Sequence, residues 1–463
     1  MTERNITEGA AVRTQGRGAA LFGLYGVRQR ARKDKEGRFT ALLHHLTVDL
    51  LEQSFRQLNR DVAAGIDGTT WKEYEENVVE LLPKLLEKVH SGKYKALPVR
   101  RTYIDKEDGR KRELGILAIE DKIVQQAVCT ILNQIYETDF VKFSYGFRKG
   151  RNQHKALDAL YVGITRRKIG WILDADIQGF FDNINHELLM KFLEKRIGDK
   201  RILRLISKWL KTGYIEYDKR VKQEIGTPQG AVISPLLANV FLHYVLDVWA
   251  AQWRRREARG DMIIVRYADD FVVGFQYRNE AQYFLKELGK RLGIFGLKLH
   301  PEKTRLIEFG RFAQDNRRKH NEGKPETFDF LGFTHICSKN SKGYFVIKRI
   351  TIRKRFKRKL RAVKAELRKR MHEKFMVTAS WIRSVIVGHQ NYYAVPGNMK
   401  SAKEFYTQVV RMWLKILRRR SQKGKSLTWK RYKKKIERVI PRVRLKHPYP
   451  NVRFDAQLKV GAG

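Results

Sequence analysis

Cysteine is almost missing from this chain: Cys129 and Cys337 are the whole complement among 463 residues. Two thiols without metal-type spacing indicate neither a zinc site nor a disulfide framework, and a reducing cytosol is the simplest home. Acidic residues are also scarce, with 49 Asp and Glu against 96 Lys and Arg, a formal net charge of +47. Such an excess opposes a compact fold by self-repulsion unless a polyanion is bound. Nucleic acid is therefore the leading partner. An anionic membrane surface fits less well, because the basic residues run along the whole chain instead of one amphipathic segment. Residues Met1 to Ala20 contain no apolar core, so a secretory signal is not expected. The longest apolar stretch, Ala231 to Trp253, approaches the length of a membrane span but carries Asn239, His243 and Asp247. Ser234-Pro235 reads as an N-cap followed by a first-turn proline, and helical spacing of the apolar residues predicts a buried helix. There is no internal repeat and no low-complexity tract.

Hydrophobic residues make up 42% and aromatics 11%, enough to build real cores, and the length suggests two to four domains. Residues 1–40 are rich in glycine and charge. Leu42 to Arg60 and Trp71 to Val89 read as helices, separated by the turn-like Ala64-Gly65-Ile66-Asp67-Gly68. Tyr94 to Leu117 alternates like a hairpin with its turn at 106–110. Helices are expected at Glu120 to Tyr136 and Gln153 to Ile164. Beyond Leu331-Gly332-Phe333 the character changes. Residues 341–463 hold 36 Lys and Arg against 5 Asp and Glu, with helical periodicity, the pattern of nucleic-acid-binding faces.

Two strand-like segments carry acids where a core strand should be apolar. Trp171 to Ile177 alternates so that Asp174 and Asp176 share one face while Leu173, Ala175 and Ile177 share the other. Met262 to Val265 and Phe271 to Phe275 flank Tyr267-Ala268-Asp269-Asp270, a hairpin with carboxylates at its tip. Asp favours turns on its own account. Carboxylates gathered from two strands nevertheless repel each other unless a cation lies between them, and hard oxygen ligands around Mg²⁺ are what phosphoryl transfer needs.

In chain order, Ala64 to Gly68, Arg112-Glu113-Leu114-Gly115-Ile116, Ser144-Tyr145-Gly146-Phe147-Arg148-Lys149-Gly150-Arg151 with His154, and Asp176-Ile177-Gln178-Gly179-Phe180-Phe181-Asp182 form a series. Gly226-Thr227-Pro228-Gln229-Gly230 with Ser234-Pro235, the Tyr267 to Asp270 box, Phe330 to Phe333 and Gly388-His389-Gln390-Asn391-Tyr392-Tyr393 complete it. This series resembles a group II intron-encoded protein, a reverse transcriptase with maturase activity. The match spans roughly residues 60 to 335 and extends toward residue 393, with Glu113 standing where the family usually has proline. The resemblance implies an α+β right-hand polymerase. It divides into an N-terminal extension (1–60), fingers (61–170), palm (171–335), helical thumb or maturase domain (341–420) and a basic DNA-binding region (421–463). The chain ends without the family's endonuclease motif, so it looks like an endonuclease-lacking member.

The resemblance also assigns roles. Asp176 and Asp269, with Asp270 as a secondary or orienting carboxylate, would be the catalytic ligands of two Mg²⁺ ions, with Mn²⁺ a possible substitute. Strand alternation sets Asp270 opposite to Asp269 unless the turn bends it inward. Asp174 receives no role. Phe181 would lie beneath the nucleotide sugar and exclude a 2′-hydroxyl, although on residue type alone it reads as a core aromatic beside Phe180. Gln229, Lys106 and Arg112 would contact the incoming dNTP, and either basic residue alone could equally be a solvated charge. Arg148, Lys149 and Arg151 follow an aromatic turn and suit tracking of a single-stranded template. Arg353, Lys354, Arg355, Lys433, Lys434 and Lys435 read as phosphate contacts, since few acids are interleaved to pair with them at i,i+4. The implied partners are a structured intron RNA, an RNA template with a DNA or RNA primer, target DNA and dNTPs, without a membrane. The implied location is the cytoplasm, on the nucleoid at target DNA. Two alternatives share these motifs: a free-standing relative in phage defence or DNA repair, and a non-catalytic RNA-binding splicing factor.

Overall fold

The computed structural model describes residues 23–105, 111–216, 219–221, 225–228 and 230–460. After α1 (residues 23–33), a 3₁₀ turn at Leu43–His45 precedes α2 (Val48–Gln57), capped by Thr47. The helix expected over Trp71 to Val89 is two: α3 (Trp71–Glu76), opened by a capping box between Thr70 and Glu73, and α4 (Val78–His90), with Asn77 out of helical geometry between them. β1 (Val99–Asp105) and β2 (Lys111–Ile116) pair antiparallel as expected, and their turn lies outside the described residues. β1 also pairs in parallel with β4 (Tyr214–Glu216), which pairs with β5 (Lys219–Val221). The long α5 (Ile119–Asp139) and α6 (Gln153–Arg166) follow.

The central sheet is antiparallel in the order β6-β7-β3-β8, with β3 (Trp171–Ala175), β6 (Met262–Tyr267), β7 (Asp270–Phe275) and β8 (Arg305–Glu308). Alternation sorts its residues as anticipated. Leu173, Ala175, Phe271, Val273, Met262 and Ile264 enter the larger core, together with residues of α7 (His186–Glu194), α8 (Lys200–Lys211), α9 (Ser234–Leu242), α10 (Val248–Arg256) and α11 (Arg278–Ile294). Ile172, Val265, Val272 and Ile307 enter a second core with Leu157 and Leu160 of α6. The apolar stretch at 231–253 is buried, but a π-helical turn, His243–Asp247, divides it. Ser234 begins the helix instead of capping it, and its hydroxyl donates to the Pro228 carbonyl at 3.0 Å.

The chain beyond residue 333 is not helical throughout. After α12 (Ala313–Lys319), β9 (Phe328–Phe330), β10 (Phe333–Lys339) and β11 (Phe345–Thr351) make a third sheet. Only then come α13 (Arg353–Lys369), α14 (Phe375–Tyr393) and α15 (Met399–Arg419), which build a separate core around Ile382, Val409 and Trp413. The short α16 (Gln422–Lys425) leads to α17 (Trp429–Glu437), whose Tyr432 and Ile436 join that core. α18 (Pro450–Val460) packs against α6. The whole is the α+β right-hand polymerase fold that the motif order implies.

Candidate active site

The acids meet where β3 and the β6–β7 hairpin end together. β3 pairs antiparallel with β7, so Ala175 stands opposite Phe271 and the next residues outward are Asp176 and Asp270. Tyr267 pairs with Asp270, leaving Ala268 and Asp269 as a two-residue turn. Burial first, then the charges of Asp269, Asp176 and Asp174, push the Asp270 carboxyl up to about 7. The residue as a whole is exposed at the sheet's end. Asp269 and Asp176 thus both act electrostatically on Asp270. Asp174 is likewise pushed up to about 7, by burial first, and faces Arg305 of β8 at 3.8 Å. Lys303, which the sequence did not single out, sets its ammonium 2.7 Å from Asp176 Oδ2.

The turn rests on a buried polar network. Ala268 has φ of +58°, an unfavourable region for a residue with a Cβ. Beneath it, Arg266 is 0% exposed and spends all five N–H donors. Nε and Nη2 reach the two Asp247 oxygens at 2.7 and 2.5 Å; Nη1 reaches Asn239 Oδ1 at 3.0 Å and the Ala268 carbonyl at 2.8 Å; Nη2 also reaches Ser144 Oγ at 2.8 Å. Asp247 lies in the π-helical turn, the kind of helical irregularity often found at functional sites. The polar residues that interrupt the apolar stretch are thus partners of a hidden arginine. Gly146 closes the arrangement: a Cβ there would lie 2.2 Å from Ala268 N, while its carbonyl accepts from Asn239 Nδ2 at 2.8 Å.

Five residues beyond Asp176, Phe181 lies in a 3₁₀ turn, Phe180–Asp182, entered through Gly179. Phe180 is buried at 2% and is the core aromatic, whereas Phe181 packs half-buried at its edge with ring centroids 5.3 Å apart. The Gly226 loop is stitched to the same turn. Thr227 N donates to the Phe181 carbonyl and Gly226 N to the Ile184 carbonyl, both at 2.8 Å. A Cβ on Gly226 would lie 2.8 Å from the Asp182 carbonyl oxygen, so only glycine fits. Gln229, Lys106 and the Arg112 side chain lie outside the described residues.

The basic candidates divide. Arg148 is buried at 7%. It gives its donors to Glu137 at 3.1 Å and to the Val141 and Ser144 carbonyls at 2.7 and 2.9 Å, so it braces the turn instead of facing a phosphate. Arg151 does similar work through the Lys142 and Ser144 carbonyls and over the Tyr145 ring. Lys149, Arg353 and Lys354 are exposed, whereas Arg355 is half-buried. Its guanidinium is near enough to Asp270 to oppose that carboxyl's upward shift, and it borders the Leu331-Gly332 turn that Tyr392 holds by a 2.8 Å hydrogen bond to the Leu331 carbonyl. Lys433, Lys434 and Lys435 are exposed, opposite the buried face of α17, and Lys433 has Glu437 at 4.0 Å. Part of the segment expected to grip DNA docks on the protein itself: Asp455 pairs with Arg166 at 2.7 Å, and Arg453 bonds the buried Asp158 of α6.

Among the described residues, no three His, Cys, Asp or Glu side chains are grouped closely enough to hold a metal ion. The donor chemistry still fits a hard dication. Asp176, Asp269 and Asp270 are oxygen donors, and the repulsion that adds to burial in raising Asp270 is the kind a cation relieves. Among the described residues, no helix is long and apolar enough to cross a membrane.

Residues 104–335 match the family described as reverse transcriptase (RNA-dependent DNA polymerase). The chain is 32% identical over 272 residues to protein YkfC of Escherichia coli strain K12, covering 52% of this chain and 71% of that protein. It is 36% identical over 293 residues to the group II intron-encoded protein LtrA of Lactococcus lactis subsp. cremoris, covering 60% of this chain but only 48% of LtrA. Nuclear intron maturase 1, mitochondrial, of Arabidopsis thaliana is 28% identical over 111 residues, covering 24% of this chain and 15% of the maturase. The chain belongs to the reverse transcriptase (RNA-dependent DNA polymerase) family and is similar to its group II intron-encoded members.

Proposed function

We propose that this chain, an RNA-directed DNA polymerase by family, copies RNA into DNA at the Asp176–Asp269–Asp270 site and also binds a group II intron RNA to assist its splicing and retrohoming. The observation that supports the polymerase reading is the register that sets Asp176, Asp269 and Asp270 at adjoining ends of one antiparallel sheet, with Asp269 and Asp176 raising the Asp270 pKa. Two Mg²⁺ ions held there would lower the pKa of a primer 3′-hydroxyl and neutralise charge on the departing pyrophosphate. The chain's own residues would do the rest. Phe181 would exclude a 2′-hydroxyl, and Gln229, Lys106 and Arg112 would hold the nucleotide. Arg355, beside Asp270, would meet the phosphates of the primer end.

The maturase half rests on similarity to the intron-encoded relatives and on the basic surface of residues 341–463. The test is extension of a DNA primer on an RNA template by the full chain, with Mg²⁺ and with a chelator. Splicing of a cognate intron RNA at moderate ionic strength is measured beside it. Mg²⁺-dependent extension supports the polymerase. Its absence removes the polymerase reading, and extension without any effect on splicing removes the maturase half alone.

A further inference from the structure

Tyr145, Arg148 and Arg151 of the 145–151 turn are already engaged, whereas Phe147 and Lys149 are exposed. Tyr145 lies under the Arg151 guanidinium at 5.0 Å. Arg148 is occupied by Glu137 and two carbonyls. Phe147, between them, is 53% exposed and has φ of +57°. A bulky residue is rarely held in left-handed backbone, and such strain persists only when the surroundings over-determine it. Here they do. Gly146 is pinned against the catalytic turn, and Tyr145 N donates to the Arg266 carbonyl at 2.8 Å. Both arginines tie down the carbonyls on the other side. A rigid assembly thus turns one hydrophobic ring outward, next to the residues that position Asp269.

We infer that Phe147 is a stacking platform for an unpaired template nucleobase at the polymerase site. The ring carries no donor for a phosphate, so its ligand must offer a flat apolar face, and every base has one. Within a primer-template duplex those faces are covered by neighbouring pairs. Free faces belong to template nucleotides not yet copied, so single-stranded template is the occupant. Exposed Lys142 and Lys149 flank the turn and suit that strand's phosphates.

This inference rests on the polymerase reading, and its test separates the two. The full chain is bound to a DNA primer on RNA templates carrying 2-aminopurine at successive unpaired positions, and fluorescence, affinity and extension are measured. Asn tolerates left-handed backbone, so Phe147→Asn keeps the turn without the ring, while Phe147→Tyr keeps a ring. Wild type and Phe147→Tyr should quench 2-aminopurine at one template position, and Phe147→Asn should not. Phe147→Asn should also bind the overhanging template about 5- to 150-fold more weakly, the equivalent of ~1–3 kcal/mol of base–aromatic stacking, and bind a blunt duplex as wild type does. Equal quenching in Phe147→Asn, or equal weakening on blunt and overhanging duplexes, would overturn the inference while wild-type extension left the polymerase standing. Failure of wild type to extend would instead strike the polymerase reading.

Discussion

Buried arginines decide much of this site, and Arg266 is the one with most at stake. It neutralises Asp247 and donates to the Ala268 carbonyl, so it supports both the core and the turn that carries Asp269. Arg266→Met should cost about 3–5 kcal/mol in urea unfolding, because Asp247 is left charged, buried and unpaired. Replacing both partners, Arg266→Met with Asp247→Leu, should recover most of that stability. Extension should stay slow in the double variant, since the Ala268 carbonyl still lacks its donor. Full recovery of extension would show that Arg266 serves stability alone. Phe181 makes a separate test of substrate choice. Phe181→Ala should let ribonucleotides in, read as the ratio of rNTP to dNTP insertion on one primed RNA template. An unchanged ratio would leave Phe181 an aromatic at the core's edge.

Among the elements, the central sheet was readable because its strands alternate and its acids fall at strand ends. Leu173 and Ala175 point one way and Asp174 the other in a register that needs only neighbouring residues to deduce. The β9–β10–β11 sheet was not readable, and Arg349 shows why. In β11, Ile347, Arg349 and Thr351 are all buried on one face, but an arginine at the middle position hides the alternation. Its acid, Asp158, is 191 positions away, with Oδ1 3.3 Å from Nη1. Arg148 with Glu137 and Arg266 with Asp247 repeat the pattern: a basic residue reads as surface until its acid is located. The sequence could single out the candidate acids and Phe181 from local pattern and motif order, whereas Lys303 and the Arg266 network were not legible, because they depend on contacts between distant segments.

The same sheet gives an acid-sensitive element. His335 is fully buried and stacked on Phe328 with centroids 4.7 Å apart. Burial first, then Arg349, lowers its pKa to about 3. Its folded pKa lies below the unfolded value near 6.5, so the unfolded chain binds more protons between those limits. Stability is therefore retained above about 6.5 and lost as pH falls toward 3, by up to ~1.4 kcal/mol per pH unit from this group. His335→Phe should flatten that part of the stability–pH curve, followed by urea unfolding between pH 7 and 4.5. An unaltered slope would mean that His335 titrates alike in the folded and unfolded chain.

For the whole molecule, charge separates binding from chemistry. If the exposed lysines of α17 contact duplex phosphates, changing Lys433, Lys434 and Lys435 to Ala should lower the log–log salt slope of binding. The change should be about two to three units, at roughly 0.9 per phosphate, with the lower end favoured because Lys433 has Glu437 nearby. Extension of a preformed primer-template at saturating enzyme should change little. An unaltered slope would make this run a solvated face. The polymerase claim itself is tested most directly by single-turnover extension of a DNA primer on RNA with Mg²⁺, comparing wild type with Asp176→Asn and Asp269→Asn at matched nucleic-acid occupancy. The expected result is loss of DNA synthesis in both variants with RNA affinity nearly intact; near-normal extension by either variant would contradict the assignment of that carboxylate to catalysis.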